Sequence, residues 1–169
     1  MDNQIDDEAA HQAELWELIK DIRFAMFTYQ RSDGRLHSYP VTTQNRDIDE
    51  QGTLYFFVSR GGNGADLPAD GQVSVNYADP HKDRYVSVCG QVRKVDDTQT
   101  VQRLWSKMAE AWFPGGPTDP DLQLLKVRID DAQYWNVTDS KITQMVKMTT
   151  AAITGKRPQG MGEHHEVKM

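Results

Sequence analysis

A mainly β fold, a closed or nearly closed barrel with flanking helices, is predicted by three features of the sequence. Most of the chain consists of short segments in which apolar residues alternate, as they do in half-buried strands. Turn signals such as Asp33-Gly34 and Asp79-Pro80 separate these segments. The regular alternation of strands and helices that a doubly wound nucleotide-binding sheet needs is missing. We therefore exclude that sheet and favour a barrel.

The first predicted elements are a helix and a hairpin. Apolar residues recur at helical spacing from Leu15 to Ile22, after Asp6 and Asp7, which predicts a short amphipathic helix with an acidic cap region. Residues 24–29 and 36–43 have the composition of strands, and the Asp-Gly turn between them predicts a hairpin. The chain thus passes from a helix into an antiparallel sheet.

Three more strands follow at residues 53–58, 72–79 and 85–95. The first is aromatic and β-branched, which is typical of a core strand. The other two alternate apolar and polar residues. Gly90 interrupts the last of them, as expected for a β-bulge or a barrel corner.

The clearest helical pattern covers residues 101–112, where apolar side chains recur three and four positions apart. Asp96 and Asp97 precede it, and acidic residues favour the start of a helix. The Pro and Gly residues at 114–117 end the pattern. The sequence therefore predicts one helix over this range.

Two further strands are predicted at residues 122–129 and 132–138, joined at Asp130-Asp131, and a final helix at residues 142–153. Gly155 ends that helix.

The predicted organisation is one barrel domain over residues 11–155, with a flexible N-terminus at residues 1–10 and a flexible C-terminal tail at residues 156–169.

Composition excludes several classes of function. The 169 residues carry 19 Lys and Arg against 25 Asp and Glu, and no basic stripe stands out, so nucleic-acid binding is not expected. No apolar run is long enough for a membrane span. A single cysteine rules out an internal disulfide, and together with the lack of a secretion leader it predicts a cytoplasmic protein. No metal site is expected, because the five histidines and the cysteine lack ligand spacing.

One candidate site is the glycine-rich segment that follows the 53–58 strand. Ser59, Arg60 and the backbone N–H groups up to Gly64 could converge on a phosphate. An ordinary turn explains the same glycines. The run Gly62-Asn63-Gly64 lacks the third glycine of a dinucleotide fingerprint, so we reject that interpretation.

The second candidate lies in the strand before that segment. Pro40 cannot donate a ladder hydrogen bond, so it marks a strand edge where a ligand could bind. His37 and Tyr39 share one face, although core packing explains them equally well. Trp105 and Trp112 are more typical of core or interface anchors than of cofactor contacts. No catalytic acid, base or nucleophile stands out.

Several of these segments occur together in the order and spacing of one known family. They are residues 18–26, 33–38, 54–57, Asn76-Tyr77-Ala78-Asp79-Pro80, Arg84-Tyr85-Val86-Ser87-Val88-Cys89-Gly90, Ala111-Trp112-Phe113-Pro114 and Leu124-Leu125-Lys126-Val127. In this ordered set the chain resembles the general stress proteins of the pyridoxamine 5′-phosphate oxidase-like, flavin-binding split-barrel superfamily.

The resemblance implies a six-stranded antiparallel split barrel that forms a homodimer, with FMN, or alternatively FAD, bound at the dimer interface. It places the flavin ring against residues 37–42 and the phosphate near residues 57–65, and it implies an oxidoreductase of unknown substrate. The flavin-binding residues predicted in this way are His37, Ser38, Tyr39, Val41, Thr42, Phe57, Val58, Ser59, Arg60, Asn63, Gly64 and Trp112.

Two departures from the family bear on the cofactor. Relatives commonly have Arg where this sequence has Tyr39, and a Ser-x-Lys phosphate clamp where it has Gly62-Asn63-Gly64. Loss of the Lys would weaken flavin affinity roughly tenfold to a hundredfold. Arg60 or backbone amides could replace that contact, and on this hypothesis Arg60→Ala weakens flavin binding. The alternatives are a dimer that has lost flavin and serves as a binding or structural module, or a barrel that holds another flavin, a deazaflavin or haem.

Overall fold

The structure, a computed structural model, describes residues 2–49, 51–136 and 163–168. The helices are α1 (Asp2–Ile19), α2 (Thr98–Leu104) and α3 (Lys107–Trp112), with a short 3₁₀ helix at Gly116–Thr118. The strands are β1 (Ala25–Gln30), β2 (Leu36–Val41), β3 (Thr53–Ser59), β4 (Asp70–Asp79), β5 (Arg84–Val95), β6 (Leu122–Asn136) and β7 (Glu163–Lys168).

Six strands form one curled antiparallel sheet in the order β2-β1-β4-β5-β6-β3. The two ends of this sheet meet where Thr43 bridges Phe56, and the Gln44 amide donates to the Tyr55 carbonyl over 2.8 Å. The sheet is therefore nearly closed on itself, and the predicted six-stranded split-barrel fold is confirmed.

Alternating side chains fill the inside of the barrel. On β1, for example, Ala25, Phe27 and Tyr29 are buried, whereas Met26 and Gln30 are exposed. The helix α1 packs Leu15, Leu18 and Ile19 onto this core.

Arg84 of β5 fixes the end of α1, because its guanidinium donates to the carbonyls of Glu17 and Leu18 over 3.3 and 3.2 Å. A cation at the carboxyl end of a helix satisfies carbonyls that have no partner within the helix. The predicted start of α1 near Asp6 and Asp7 is wrong, since the helix begins at Asp2 and includes most of the N-terminal segment predicted to be flexible.

A second apolar cluster holds α2 and α3 against the outer face of β3 and β6. It consists of Tyr55, Val101, Leu104, Phe113, Leu122 and Leu124. The single helix predicted over residues 101–112 is wrong, because the chain breaks at Trp105, which has an extended ψ of 137°. The Ser106 hydroxyl then accepts from the Ala109 amide and starts α3.

The two strands predicted on either side of Asp130-Asp131 are one continuous strand, β6. The register shifts between Cys89 and Gly90 of β5, so that Cys89 pairs with Asp131 and Gly90 with Ile129. The bulge predicted at Gly90 is confirmed. It accommodates one additional residue of β6, Asp130, in the Asp130-Asp131 pair that the sequence suggests is a turn.

Within the segment predicted to be a C-terminal tail, Glu163–Lys168 forms β7 and pairs with the second half of β6. The helix predicted at residues 142–153 lies outside the described residues. In the described part of the chain, no helix is long and apolar enough to cross a membrane.

Candidate functional site

A cleft with a volume of about 410 Å³ lies between β2, β3 and α3, at the predicted site. That volume is within the range of small-molecule and cofactor sites. Its lining residues are Phe24, Tyr39, Pro40, Val41, Thr42, Gln44, Phe57, Val58, Ser59, Gly62, Asn63, Met108, Ala109, Trp112 and Phe113.

The cleft exists because β2 and β3 meet at only one point. If β2 and β3 stayed paired in the register of the Thr43–Phe56 bridge, Pro40 would lie opposite Ser59. The pairing stops at the bridge instead. Pro40 has no N–H to donate, so it suits a strand edge that is not hydrogen-bonded. The outer edge of β2 therefore faces the cleft instead of another strand.

The β3 wall supplies an aromatic surface. Phe57 is half-buried, and its ring centroid lies 6.0 Å from that of Trp105, which turns back against β3 at the break between α2 and α3. Val58 is buried beside it. Alternation along β3 thus directs Phe56 into the barrel and Phe57 toward the cleft.

The glycine-rich loop after β3 is a tight turn in which the amides of Gly62 and Gly64 bond within the turn. The amide of Gly62 donates to the Ser59 hydroxyl over 2.9 Å, and that of Gly64 to the Ser59 carbonyl over 2.8 Å. A Cβ on Gly64 would lie 2.7 Å from that carbonyl oxygen, so close approach of the backbone requires glycine there. These amides are consequently not free to cradle a phosphate.

Arg60 points away from the cleft. Its Nε donates to the Leu122 carbonyl over 3.0 Å, and its Nη2 pairs with the Asp96 carboxylate at 2.6 Å. The prediction that Arg60 contacts a phosphate in the cleft disagrees with this geometry. The reason is that its partners come from segments 36 and 62 residues further along the chain.

Asp121 fastens the base of the same loop. Its carboxylate accepts a hydrogen bond from the Gly61 amide over 2.9 Å. Hydrogen bonds from the Ser59 hydroxyl and then from the Gly61 amide lower the pKa of Asp121 below its ordinary value. Asp121 is therefore a structural anion of the loop.

We expect Asp121→Ala to lower the free energy of unfolding slightly at neutral pH and to have no effect in acid. A carboxyl group whose pKa is depressed by folding stabilises the protein above its unfolded pKa of about 4 and loses that effect as pH falls through the folded value. Urea unfolding of parent and variant at pH 7 and near pH 2 measures the difference. Asp47→Asn, at an exposed loop position outside the cleft, is the control; an Asp121→Ala effect that persists at the lower pH would contradict the expectation.

The third wall and the mouth of the cleft come from α3 and from Phe24. Ala109 is buried, whereas Met108 is 38% exposed and Trp112 is 74% exposed. Phe24, which precedes β1, is 54% exposed. Large apolar side chains thus surround an opening to solvent, which is unusual for a surface that stays uncovered.

The cleft is electrically neutral. None of its described lining residues is Lys, Arg, His, Asp or Glu. The polar side chains are Thr42, Gln44, Ser59 and Asn63. Tyr39 also lines the cleft, but its ring packs against those of Phe27 and Tyr29 in the barrel core. Its hydroxyl is buried without a hydrogen-bond partner among the described residues, and burial raises the pKa of Tyr39. Among the described lining residues, groups for hydrogen bonding and ring contacts are present and charged side chains are not.

The structure brings together Tyr39, Val41, Thr42, Phe57, Val58, Ser59, Asn63 and Trp112 of the predicted site. Four predicted residues lie outside the cleft lining: His37, Ser38, Arg60 and Gly64. His37 packs against Tyr29, with ring centroids 5.7 Å apart, and the Ser38 hydroxyl bonds to that of Thr28 over 2.7 Å. Both side chains therefore serve the β1–β2 hairpin.

Other lining residues are absent from the flavin-binding set that the resemblance predicts. They are Phe24, Pro40, Gln44, Gly62, Met108, Ala109 and Phe113. Pro40 carried a usable signal, since a proline in a strand marks an unpaired edge. Met108 and Ala109 carried none, because the sequence does not show that α3 bends over the end of β3.

The sequence profile of the family described as pyridoxamine 5′-phosphate oxidase like matches residues 10–159. The chain belongs to this family. Among solved structures, it is similar to the general stress FMN/FAD binding protein of Xanthomonas citri, at 31% identity and a TM-score of 0.64, over 78% of this chain and 92% of that one.

This pyridoxamine 5′-phosphate oxidase-like chain is also similar to two further proteins. A Jannaschia sp. CCS1 protein named general stress protein 26 has a TM-score of 0.68 at 23% identity, over 96% of this chain and 99% of that one, and so shares the fold. Protein bli-3 of Neurospora crassa is 24% identical over 124 residues, or 69% of this chain. The match spans only 58% of that curated relative's length.

Proposed function

We propose that this family member is a cytoplasmic flavin-binding protein that holds FMN in the cleft between β2 and β3 and acts as a homodimer. The observation that carries the proposal is the neutral, partly aromatic cleft at the unpaired edge of β2. A flavin ring is planar, with one apolar edge and one edge of hydrogen-bonding atoms. The solved relative from Xanthomonas citri, which is named as an FMN/FAD binding protein, supports the same ligand class.

The residues present fit such a ring. Phe57 and Val58 offer apolar surface along one wall, and Trp112 lies at the mouth. The edge of β2 offers backbone N–H and C=O groups, which an unpaired strand edge presents in a row. The half-buried side chains of Thr42 and Gln44 add hydrogen-bonding groups beside that edge.

A bound flavin exchanges one or two electrons with a donor or acceptor, and the oxidoreductase part of the proposal rests on that property. The chain itself binds and orients the ring and excludes water from it. The neutral cleft provides no charged acid or base among its described residues. A cleft of this kind is consistent with redox chemistry carried by the flavin, on a substrate of unknown class.

The homodimer part of the proposal rests on the exposed apolar rim. Phe24, Met108 and Trp112 surround the mouth of the cleft, and Met26 on the neighbouring β1 is 44% exposed. A second copy of the chain would bury these side chains and close the cleft. Sizing of the purified chain at several concentrations tests this part.

We expect FMN to bind saturably at about one flavin per chain and to quench the emission of Trp112. Trp112→Phe should reduce the FMN-dependent quenching more than Trp135→Phe does, because Trp112 lies at the cleft mouth, while Trp105 beside Phe57 stays within reach of the flavin. Trp135→Phe is the matched control, since Trp135 is 39% exposed on β6 and outside the cleft lining. Fluorescence titration of the three proteins measures the effect.

Absence of saturable binding by the folded parent would contradict the flavin proposal and favour a binding or structural module. Equal quenching in parent and Trp112→Phe would place the flavin elsewhere on the molecule.

A further inference from the structure

The cationic side chains nearest the glycine-rich loop are held by other partners. Arg60 is bound to Asp96 and to the Leu122 carbonyl. The ammonium of Lys94 donates to the Gly64 carbonyl over 2.9 Å, and Lys94 is not part of the cleft lining. Neither of these two cations is therefore available to give a phosphate at this loop a charge-assisted contact.

The amides of the three loop glycines do not replace that contact. The amide of Gly61 donates to the Asp121 carboxylate, that of Gly62 to the Ser59 hydroxyl and that of Gly64 to the Ser59 carbonyl. Asp121 also puts a negative charge at the base of the loop, with its Oδ1 hydrogen-bonded to Gly61. An anion there would meet a like charge, and these three donors already have acceptors.

The positions of the lining residues bear on which part of a ligand reaches this loop. Thr42 and Gln44 line the cleft on either side of the residue that bridges β2 to β3, and Phe57 lines it on β3. Gly62 and Asn63 line it at the loop, and both are exposed. A ring against Phe57 and the edge of β2 would leave a polar chain attached to it near the loop and solvent.

From these observations we infer that the cleft recognises the flavin ring and not its phosphate, so that riboflavin binds about as tightly as FMN. This inference rests on the proposed function. It defines the ligand class by the flavin ring, so that flavins with and without a terminal phosphate both belong to it. Affinity then comes from ring contacts and from hydrogen bonds to neutral groups, which are not screened by salt.

Calorimetric titration of the full chain with riboflavin and with FMN tests the inference. We expect dissociation constants within about fivefold of each other, whereas a charge-assisted phosphate contact would give FMN an advantage of about tenfold or more. An FMN advantage above fivefold overturns the inference and leaves the flavin proposal intact. Failure of both flavins to bind overturns both.

Two variants sharpen the result. Arg60→Ala should leave the affinity for FMN unchanged, because the guanidinium faces Asp96 and not the cleft. Asn63→Lys introduces an ammonium group at an exposed lining position and should raise the FMN-to-riboflavin affinity ratio by about tenfold. Weaker FMN binding in Arg60→Ala, or an unchanged FMN-to-riboflavin ratio in Asn63→Lys, contradicts the inference.

Discussion

Replacement of Gly90 by alanine is expected to lower the free energy of unfolding by about 3 kcal/mol, at the upper end of the usual cost of overpacking. A Cβ at this position would overlap the carbonyl oxygen of Arg128 on β6. The obstacle is backbone, which cannot rotate away as a flexible side chain can. Relief requires β5 and β6 to separate at the bulge, where both strands belong to the centre of the sheet.

Urea unfolding followed by circular dichroism measures the loss, with Gly61→Ala as the matched control. A Cβ at Gly61 would meet the Asp121 carboxylate at 3.5 Å, an ordinary contact, so we expect a change below about 1 kcal/mol. Equal midpoints for the Gly90 variant and the parent would show that the β5–β6 bulge is adaptable.

The second large effect is expected at Phe56, where substitution by alanine should cost about 3–5 kcal/mol. Phe56 is fully buried in the barrel core, with its ring 5.8 Å from that of Phe27 in an edge-on arrangement. It is also the β3 residue that bridges to Thr43 and closes the barrel. Removal of the ring leaves a cavity at the point where the two ends of the sheet meet.

Phe57 provides the comparison, because it is the next residue and faces the cleft. Phe57→Ala should cost less than about 2 kcal/mol, since the side chain is only half-buried, but should weaken FMN binding by about tenfold or more. Urea unfolding and FMN titration separate the two effects. If Phe56→Ala does not fold, Phe56→Leu should still lose about 1.5 kcal/mol while its FMN affinity stays near that of the parent. The reverse order of stability losses at the two positions would refute this assignment of faces.

The local sequence pattern was sufficient to predict a segment's secondary structure wherever that structure depends on the segment's own residues. Local composition, a turn signal and apolar alternation predicted β1 through β5 to within two residues at each end. Asp97 was expected at the start of a helix, and its carboxylate accepts from the Thr100 amide there. The single helix over residues 101–112 was wrong because its apolar period continues through Trp105 and Ser106, although the Ser106 hydroxyl caps a new helix at that point.

Contacts between distant segments decided the rest of the fold. The Asp130-Asp131 pair has the composition of a turn, yet it lies within β6 because the bulge at Gly90 accommodates one extra residue opposite β5. The strand β7 depends on its hydrogen bonds to β6 and has no strong period of its own.

Within the candidate site, the sequence alone determined the strand that carries the cleft edge, through Pro40, and the family to which the chain belongs, through its ordered motifs. Only the tertiary structure decided which side chains face the cleft. Arg60 adjoins the predicted phosphate loop in sequence, but its guanidinium binds Asp96 and Leu122 instead. A long cationic side chain pairs with the nearest acceptors in space, and those acceptors are set by the packing of β6 and α2 beside β3.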